Sequence, residues 1–176
     1  MKLMTLTARL LIGGLFVGHG TQKLKGWFGG YGIDGTAGFM ASLGMHPGRR
    51  NAIAAGASET AGGALLALGL GTPLAAAAIT GTMLTAIRKV HLPNGVWNEG
   101  GGWEYHATLI AALLLIAEQG PGPVSLDAVL GIERKGAGWA LAALALGAAA
   151  SAASIEAGRR NAPPAEPVAT EAAPPS

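Results

Sequence analysis

Apolar residues form four long runs with almost no charged residue inside them, and charged residues collect near the ends of these runs. The runs cover residues 3–24, 51–70, 73–90 and 104–118. A helix rises about 1.5 Å per residue, so about 20 residues cross the roughly 30 Å hydrocarbon core of a bilayer. The runs are continuously apolar rather than alternating, which favours helices over barrel strands. The pattern predicts an all-α polytopic membrane protein, an antiparallel four-helix transmembrane bundle.

A fifth run at residues 137–155 is long enough to span a bilayer but consists mostly of alanine. Alanine contributes little to the transfer free energy that draws leucine into lipid. We therefore expect an additional transmembrane helix whose insertion depends on packing against the others. Arg9 interrupts the first run and no small-residue cleavage site follows it, so we expect that segment to be retained.

The predicted organisation has three parts. Residues 1–131 form the four-helix transmembrane domain, residues 132–156 the alanine-rich helix, and residues 157–176 a Pro/Ala-rich tail. The tail contains nothing periodic or bulky, which predicts disorder.

Composition agrees with a membrane protein. Half of the 176 residues are hydrophobic, 12% are charged, and the mean hydropathy is +0.40, which is too apolar for an ordinary soluble domain. The net charge of +2 gives no indication of nucleic-acid binding. The chain has no cysteine, so it cannot form a disulfide, ligate an iron–sulfur cluster through thiolates or carry a persulfide. Any thiol or sulfane-sulfur step must use a quinone, a substrate or a partner's cysteine.

Polar residues at the run ends should meet on one side of the bundle. The first helix ends on the side where the second begins, and the third ends where the fourth begins. Two glycine-rich, Trp-bearing loops, residues 26–31 and 95–103, should lie on that side, where anchoring in the headgroup layer is their simplest role. The candidate residues are His19, Lys23, Glu59, Arg88, Lys89, His91, Glu104 and His106.

Glu59 is the most informative of these residues because it lies about 12 Å into the second helix, where a short side chain cannot easily reach water. A carboxylate in lipid must pair, accept hydrogen bonds or take up a proton. His19, Lys23 and Arg88 are the possible partners. We expect Glu59 to be functional or to organise the bundle, and Arg9 to behave similarly or to extend toward the opposite surface.

Simpler roles remain open for the other candidates. Lys23 and Arg88 could extend to lipid phosphates, and Glu104 could be favoured only by the helix N-terminus at which it lies. Small residues recur four apart at Gly14 and Gly18, Ala57 and Ala61, and Gly63 and Ala67. Such pairs predict close helix packing.

Several spaced motifs resemble the DoxX family of bacterial membrane proteins over about residues 4–131. They are Arg9, Gly13, Phe16, His19-Gly20, Lys23-Leu24, Glu59, Gly62-Gly63, His91-Leu92-Pro93-Asn94-Gly95, Gly101-Gly102-Trp103-Glu104-Tyr105, Gly120-Pro121-Gly122-Pro123 and Ser125-Leu126-Asp127. The resemblance implies a four-helix bundle in the bacterial inner membrane, related to DoxD-type subunits of thiosulfate:quinone oxidoreductases. It also implies thiosulfate or thiol redox chemistry, oxidative-stress defence, and soluble redox or sulfurtransferase partners.

The sharpest functional hypothesis is a membrane subunit of a quinone-linked oxidoreductase, with the quinone bound noncovalently. Quinone reduction takes up two electrons and two protons, which a histidine and a carboxylate at the lipid boundary can supply. His19 or His91 would donate protons and Glu59 or Glu104 would relay them. Lys23 or Arg88 would stabilise negative charge.

Other functions use the same residues differently. The cluster could organise a scaffold that docks a soluble redox enzyme, or line the binding site of a small-molecule or anion carrier. The absence of a clear inverted repeat weighs against the carrier. The histidines and glutamates lack a short-spaced metal motif, so we predict no metal site. A homo-oligomer is possible.

Positive charge favours one orientation. If five helices span, the candidate side carries Lys23, Lys25, Arg49, Arg50, Arg88, Lys89, Arg159 and Arg160, against Lys2, Arg9, Arg134 and Lys135 on the other side. The positive-inside rule places the candidate side in the cytoplasm.

Overall fold

The computed structural model describes residues 2–164, which fold into seven α-helices with no β-strand. The helices are α1 (Lys2–Lys25), α2 (Gly32–Ser42), α3 (Gly48–Leu68), α4 (Thr72–Ala86), α5 (Glu104–Gln119), α6 (Leu126–Leu130) and α7 (Ala137–Arg160). A π-helical turn, Ile87–His91, continues α4. The all-α class is confirmed, and each predicted run corresponds to one long helix. Residues 165–176 of the predicted tail lie outside the described residues.

Two of the described helices are long and apolar enough to cross a membrane, judged by length and composition. They span Leu3–Lys25 and Ala137–Arg160. The alanine-rich run is therefore one of the two clearest candidates, whereas α4 and α5 have only 15 and 16 residues. A four-helix transmembrane bundle stays a prediction.

Glycines let α1 and α3 pack closely in antiparallel directions. Gly13 faces Gly63 near one end of the pair, and Gly20 faces Gly56 near the other. A Cβ atom on Gly13 would lie 2.5 Å from the carbonyl oxygen of Gly63, which is far inside van der Waals contact. Only hydrogen fits at these positions, so the two backbones can approach.

The prediction of packing motifs was right for one small-residue pair and wrong for two. Gly63 and Ala67 do face α1 at Gly13. Gly14 and Gly18 have open space where a side chain would be, and Ala57 and Ala61 are exposed. The contact uses glycines seven apart, which is two helical turns and therefore nearly the same face of the helix.

The second half of the bundle is built around α4, which packs against α3, α5 and α7. Leu66, Ile79 and Leu113 lie fully buried where these helices meet. Gly81 faces Gly147, and the hydroxyl of Thr85 donates to Ser151 Oγ at 3.0 Å. The numbers of the contacting residues increase together along α4 and α7, so the two helices run parallel to each other.

Arg9 closes the end of the bundle opposite the predicted site. Its buried guanidinium donates hydrogen bonds to carbonyl oxygens at the end of α3 and in the loop before α6, namely those of Leu66, Ala67, Pro121 and Val124. The alternative that Arg9 extends to the membrane surface is wrong, because these four carbonyls hold it inside. It joins α1 to two segments that are distant in sequence.

Asp127, the second residue of α6, caps the N-terminus of α4. Its carboxylate accepts hydrogen bonds from the backbone N–H groups of Gly71 at 2.8 Å and Thr72 at 3.2 Å. These donors have no partner within the helix, and a carboxylate beside them also interacts favourably with the helix dipole. Asp127 of α6 therefore holds the short connection between α3 and α4 in place.

Candidate functional site

A cavity of about 650 Å³ lies among α1, α2, α3, α4, α5 and α7. We call it the central cavity. Most of its wall is apolar, from Ile12 and Leu15 on α1 to Leu109 on α5. Its ionisable lining residues are His19, Lys23, Glu59, Lys89, His91, Tyr105 and His106. An apolar wall with a few converging polar groups is typical of a ligand site of this size.

Glu59 pairs with Lys23, one of the three partners that the sequence offered. Lys23 Nζ donates to Glu59 Oε2 at 2.6 Å, across the α1–α3 interface. The Glu59 side chain is only 4% exposed and that of Lys23 is 28% exposed. Nζ also lies 3.5 Å from the carbonyl oxygen of His19. An ammonium group has three donors, so one remains for a ligand in the cavity.

The rings of two histidines, His91 and His106, lie against each other at the end of the cavity that holds Lys23. The ring centroids of His91, at the end of the π-helical turn, and His106, in the first turn of α5, are 4.0 Å apart. His91 Nδ1 lies 2.7 Å from the carbonyl oxygen of Gly101. A carbonyl only accepts, so Nδ1 carries the proton and Nε2 of the neutral ring is an acceptor.

His106 has an unpaired polar atom. Its Nδ1 is buried and has no hydrogen-bond partner among residues 2–164. Buried ring nitrogens without a partner are uncommon, and each one needs an explanation such as a ligand or water that completes it. His106 also lines the central cavity, but Nδ1 is buried against neighbouring atoms and does not face the open space, so a polar group bound there meets it only after the ring moves.

His19 also lies at the cavity wall, although its ring is more exposed. Its Nδ1 is 3.0 Å from Gln22 Oε1, one turn further along α1. The ring meets Phe16 edge-on at a centroid distance of 6.3 Å. These contacts orient the imidazole toward the same end of the cavity as Lys23.

Two predicted site residues are not brought to the cavity. Arg88 is exposed and does not line it, because the helical register turns Lys89 and His91 inward instead. Glu104 accepts a 2.7 Å hydrogen bond from the backbone N–H of Asn98 and so closes its own loop. This contact is to the loop and not to the N-terminal N–H groups of α5, so the role at the start of the helix stays a prediction.

Four polar residues that were not among the predicted candidates also line the cavity. They are Ser151 and Ser154 of α7 and Asn51 and Ser58 of α3. The two serines are three apart in a run of alanines, which places them on one helix face. That spacing was a usable signal.

The described residues contain no group of three or more histidine or carboxylate side chains that could hold a metal ion. The central cavity thus offers paired and single groups rather than a ligand shell.

A comparison of the sequence with models of protein families shows the family of this chain. A model described as DoxX matches residues 4–92, just over half of the 176 residues. The chain belongs to the DoxX family. This membership, with two long apolar helices, indicates a membrane protein. No curated protein and no solved structure gave a significant match.

The DoxX match covers the part of the site that lies on α1, α3 and the π-helical turn. His19, Lys23, Glu59 and His91 are all within residues 4–92. His106 and the α7 serines lie beyond it, as do the motifs after residue 92 that carried part of the resemblance. The cavity of this DoxX protein is therefore completed by helices outside the matched region.

Proposed function

We propose that this chain is a multi-pass protein of the bacterial inner membrane whose central cavity binds a quinone for a redox-associated complex. The outer surface supports the membrane assignment. Every long helix exposes large apolar side chains, among them Leu11 and Leu15 of α1, Ile53 of α3, Leu74 of α4, Leu115 of α5 and Leu146 of α7. Large apolar side chains exposed on every long helix suit lipid better than water.

The single observation that carries the quinone proposal is the contrast within the cavity. An apolar wall surrounds an ion pair, Lys23–Glu59, and a histidine with an unpaired nitrogen, His106. A quinone has a polar ring with two carbonyl oxygens and an apolar remainder, so its polarity matches this layout. The free donor of Lys23 can bind one carbonyl oxygen and His106 the other.

The chain's own groups then supply proton transfer. His91 holds an acceptor nitrogen, and its stacking on His106 provides a second ring at the same place. The ammonium group of Lys23, held by Glu59 at 2.6 Å, favours negative charge developing on a nearby oxygen. Histidine titrates near neutral pH and can pass protons to a reduced quinone.

Electrons must come from elsewhere, because the chain has no cysteine. We propose a sulfur-centred donor. Two thiolates or two thiosulfate ions that join through an S–S bond release two electrons, and the quinone takes these up with two protons to give a quinol. A soluble redox or sulfurtransferase partner would deliver that donor at the site end of the bundle.

Binding of a short-tailed quinone to the purified protein tests the proposal. We expect saturable binding that His106→Phe weakens by about tenfold, since phenylalanine keeps the stacking and removes the ring nitrogen. His46→Phe is the matched control, because His46 lies outside the cavity lining. No saturable binding by the wild type, or equal weakening by both variants, would overturn the proposal.

A scaffold is the second candidate, and the exposed aromatics favour it. Trp27, Phe28 and Tyr31 after α1, and Trp97 after the π-helical turn, lie at the same end and are all more than half exposed. Such residues anchor proteins at the headgroup layer and also form hot spots for partners. Co-purification of a soluble redox enzyme with a quinone-free protein would favour this function.

A further inference from the structure

A second, smaller cavity lies beside the first along α1. It has a volume of about 280 Å³ and lies between α1 and α5, where we call it the side groove. Met4, Ala8 and Ile12 form one wall, and Ala112, Leu115 and Ile116 form the other. Ile12 lines both the side groove and the central cavity. The two spaces are thus adjacent and share one side chain.

The two neighbouring spaces differ in polarity. The central cavity carries Lys23, His91 and His106, whereas the side groove is lined mainly by aliphatic side chains, with Thr5 and Gln119 as its polar residues. From Lys23 to Met4, α1 rises through 19 residues, about 28 Å along the axis, which is close to the thickness of the hydrocarbon core. A ligand with a polar head and a long apolar chain matches both this difference in polarity and the length.

The packing of the helices explains why the groove exists. α1 packs mainly against α3 and α2, whereas α5 packs against α4 and α7. Facing positions of α1 and α5 carry alanines, Ala8 and Ala112, whose small side chains leave the space between the helices unfilled. Leu115 also lines this groove and is 53% exposed.

We infer that the side groove holds the polyisoprenoid chain of a quinone whose ring lies in the central cavity. This inference rests on the proposed function and adds that the physiological ligand is a long-tailed, membrane-resident quinone that enters laterally between α1 and α5. Surrounding lipid is as apolar as the groove, so the groove gives selectivity by shape rather than by the hydrophobic effect. Filling it therefore excludes the tail and leaves the ring site intact.

Ala112→Trp fills the groove, and Ala111→Trp is the matched control. Ala112 lines the groove, whereas its neighbour Ala111 is exposed and does not. Two ligands are compared in the same mild detergent: a quinone with a single isoprenoid unit and one with a long polyisoprenoid tail. The amount retained by immobilised protein is measured after extraction, and partition into micelles cancels because each ligand is compared across variants.

We expect Ala112→Trp to weaken binding of the long-tailed quinone by about tenfold or more and to leave the short-tailed quinone within about twofold. Retained short-tail binding also shows that the variant is folded. Unchanged binding of both ligands, or equal loss of both, overturns the groove assignment while the ring site stands. Failure of the wild type to bind either quinone overturns the proposed function instead, so the two failures are distinguishable.

Discussion

Lys23 Nζ and Glu59 Oε2 lie 2.6 Å apart across the interface at which glycines let α1 and α3 pack closely. Both side chains line the central cavity, each about one helical turn from the glycine of its own helix in the contact of Gly20 with Gly56. One ion pair therefore contributes to helix packing and presents its remaining donor to the cavity. Removal of this ion pair should therefore weaken both the packing of α1 on α3 and the binding of a ligand in the cavity.

Glu59→Gln should destabilise the protein by about 1–3 kcal/mol, because it leaves the partly buried ammonium group of Lys23 without a counter-charge. Thermal unfolding in detergent measures the change. Glu118→Gln is the control, since Glu118 is exposed at the end of α5 and should shift stability by no more than about 0.5 kcal/mol. Equal effects of the two substitutions would remove the special status of Glu59.

Arg9→Met should cost more stability than any exposed arginine, by more than about 3 kcal/mol, because four carbonyl oxygens lose a charged donor inside the protein. Arg50→Met, at an exposed position in the first turn of α3, provides the comparison. Monodispersity by size exclusion after a heating series reads out both variants. An Arg9→Met protein as heat-resistant as Arg50→Met would contradict the closing role assigned to Arg9.

Adjacent glycines on α1 should respond in opposite ways. Gly13→Ala places a Cβ atom 2.5 Å from the carbonyl oxygen of Gly63, so α1 and α3 must separate at a cost of about 1–3 kcal/mol. Gly14→Ala meets open space and should be neutral or slightly stabilising, since alanine favours the helix. Thermal midpoints of the two variants give the result. The opposite order would mean that α1 faces α3 with a different side.

The site end of the bundle should face the cytoplasm. The chain has no cysteine, so single cysteines can be labelled without background. Ser42→Cys, at the end of α2, reports on the site end, and Glu133→Cys, before α7, reports on the opposite end; both positions are exposed. An impermeant thiol reagent added to intact cells should label only Glu133→Cys. Labelling of Ser42→Cys alone would reverse the orientation.

Removal of residues 161–176 should leave membrane insertion intact, because the tail carries no apolar run. Alkaline extraction of membranes separates inserted from peripheral protein. Release of the truncated chain into the supernatant would show that the tail contributes to insertion.

Much of the fold could be predicted because the signal of α1, α3, α4, α5 and α7 is a long apolar run. The helices α2 and α6 could not be predicted from the sequence. The sequence of α2 places glycines at 32, 35 and 38, which weakens its helix propensity, and its 11 residues are too few to form a long apolar run. The five residues of α6 are too few to show a period, and the tertiary hydrogen bond that Asp127 accepts from Gly71 helps to hold that segment.

The site was predictable as far as connectivity and depth allowed. Glu59 needed a partner, and Lys23 was one of three candidates that the sequence offered. The choice between Lys89 and Arg88 depends on the rotation of the π-helical turn, which adjacent residues do not reveal. The stacking of His91 on His106 depends on the fold of the intervening loop, where Gly101 accepts from His91 and Asn98 donates to Glu104.

The most direct test of the central claim is native mass spectrometry of the protein extracted from its own membrane in mild detergent. We predict one long-tailed quinone per chain in the wild type. It should be retained in Glu118→Gln and lost or strongly reduced in Glu59→Gln. A folded wild-type protein that carries no quinone, or equal quinone content in the two glutamate variants, would contradict it.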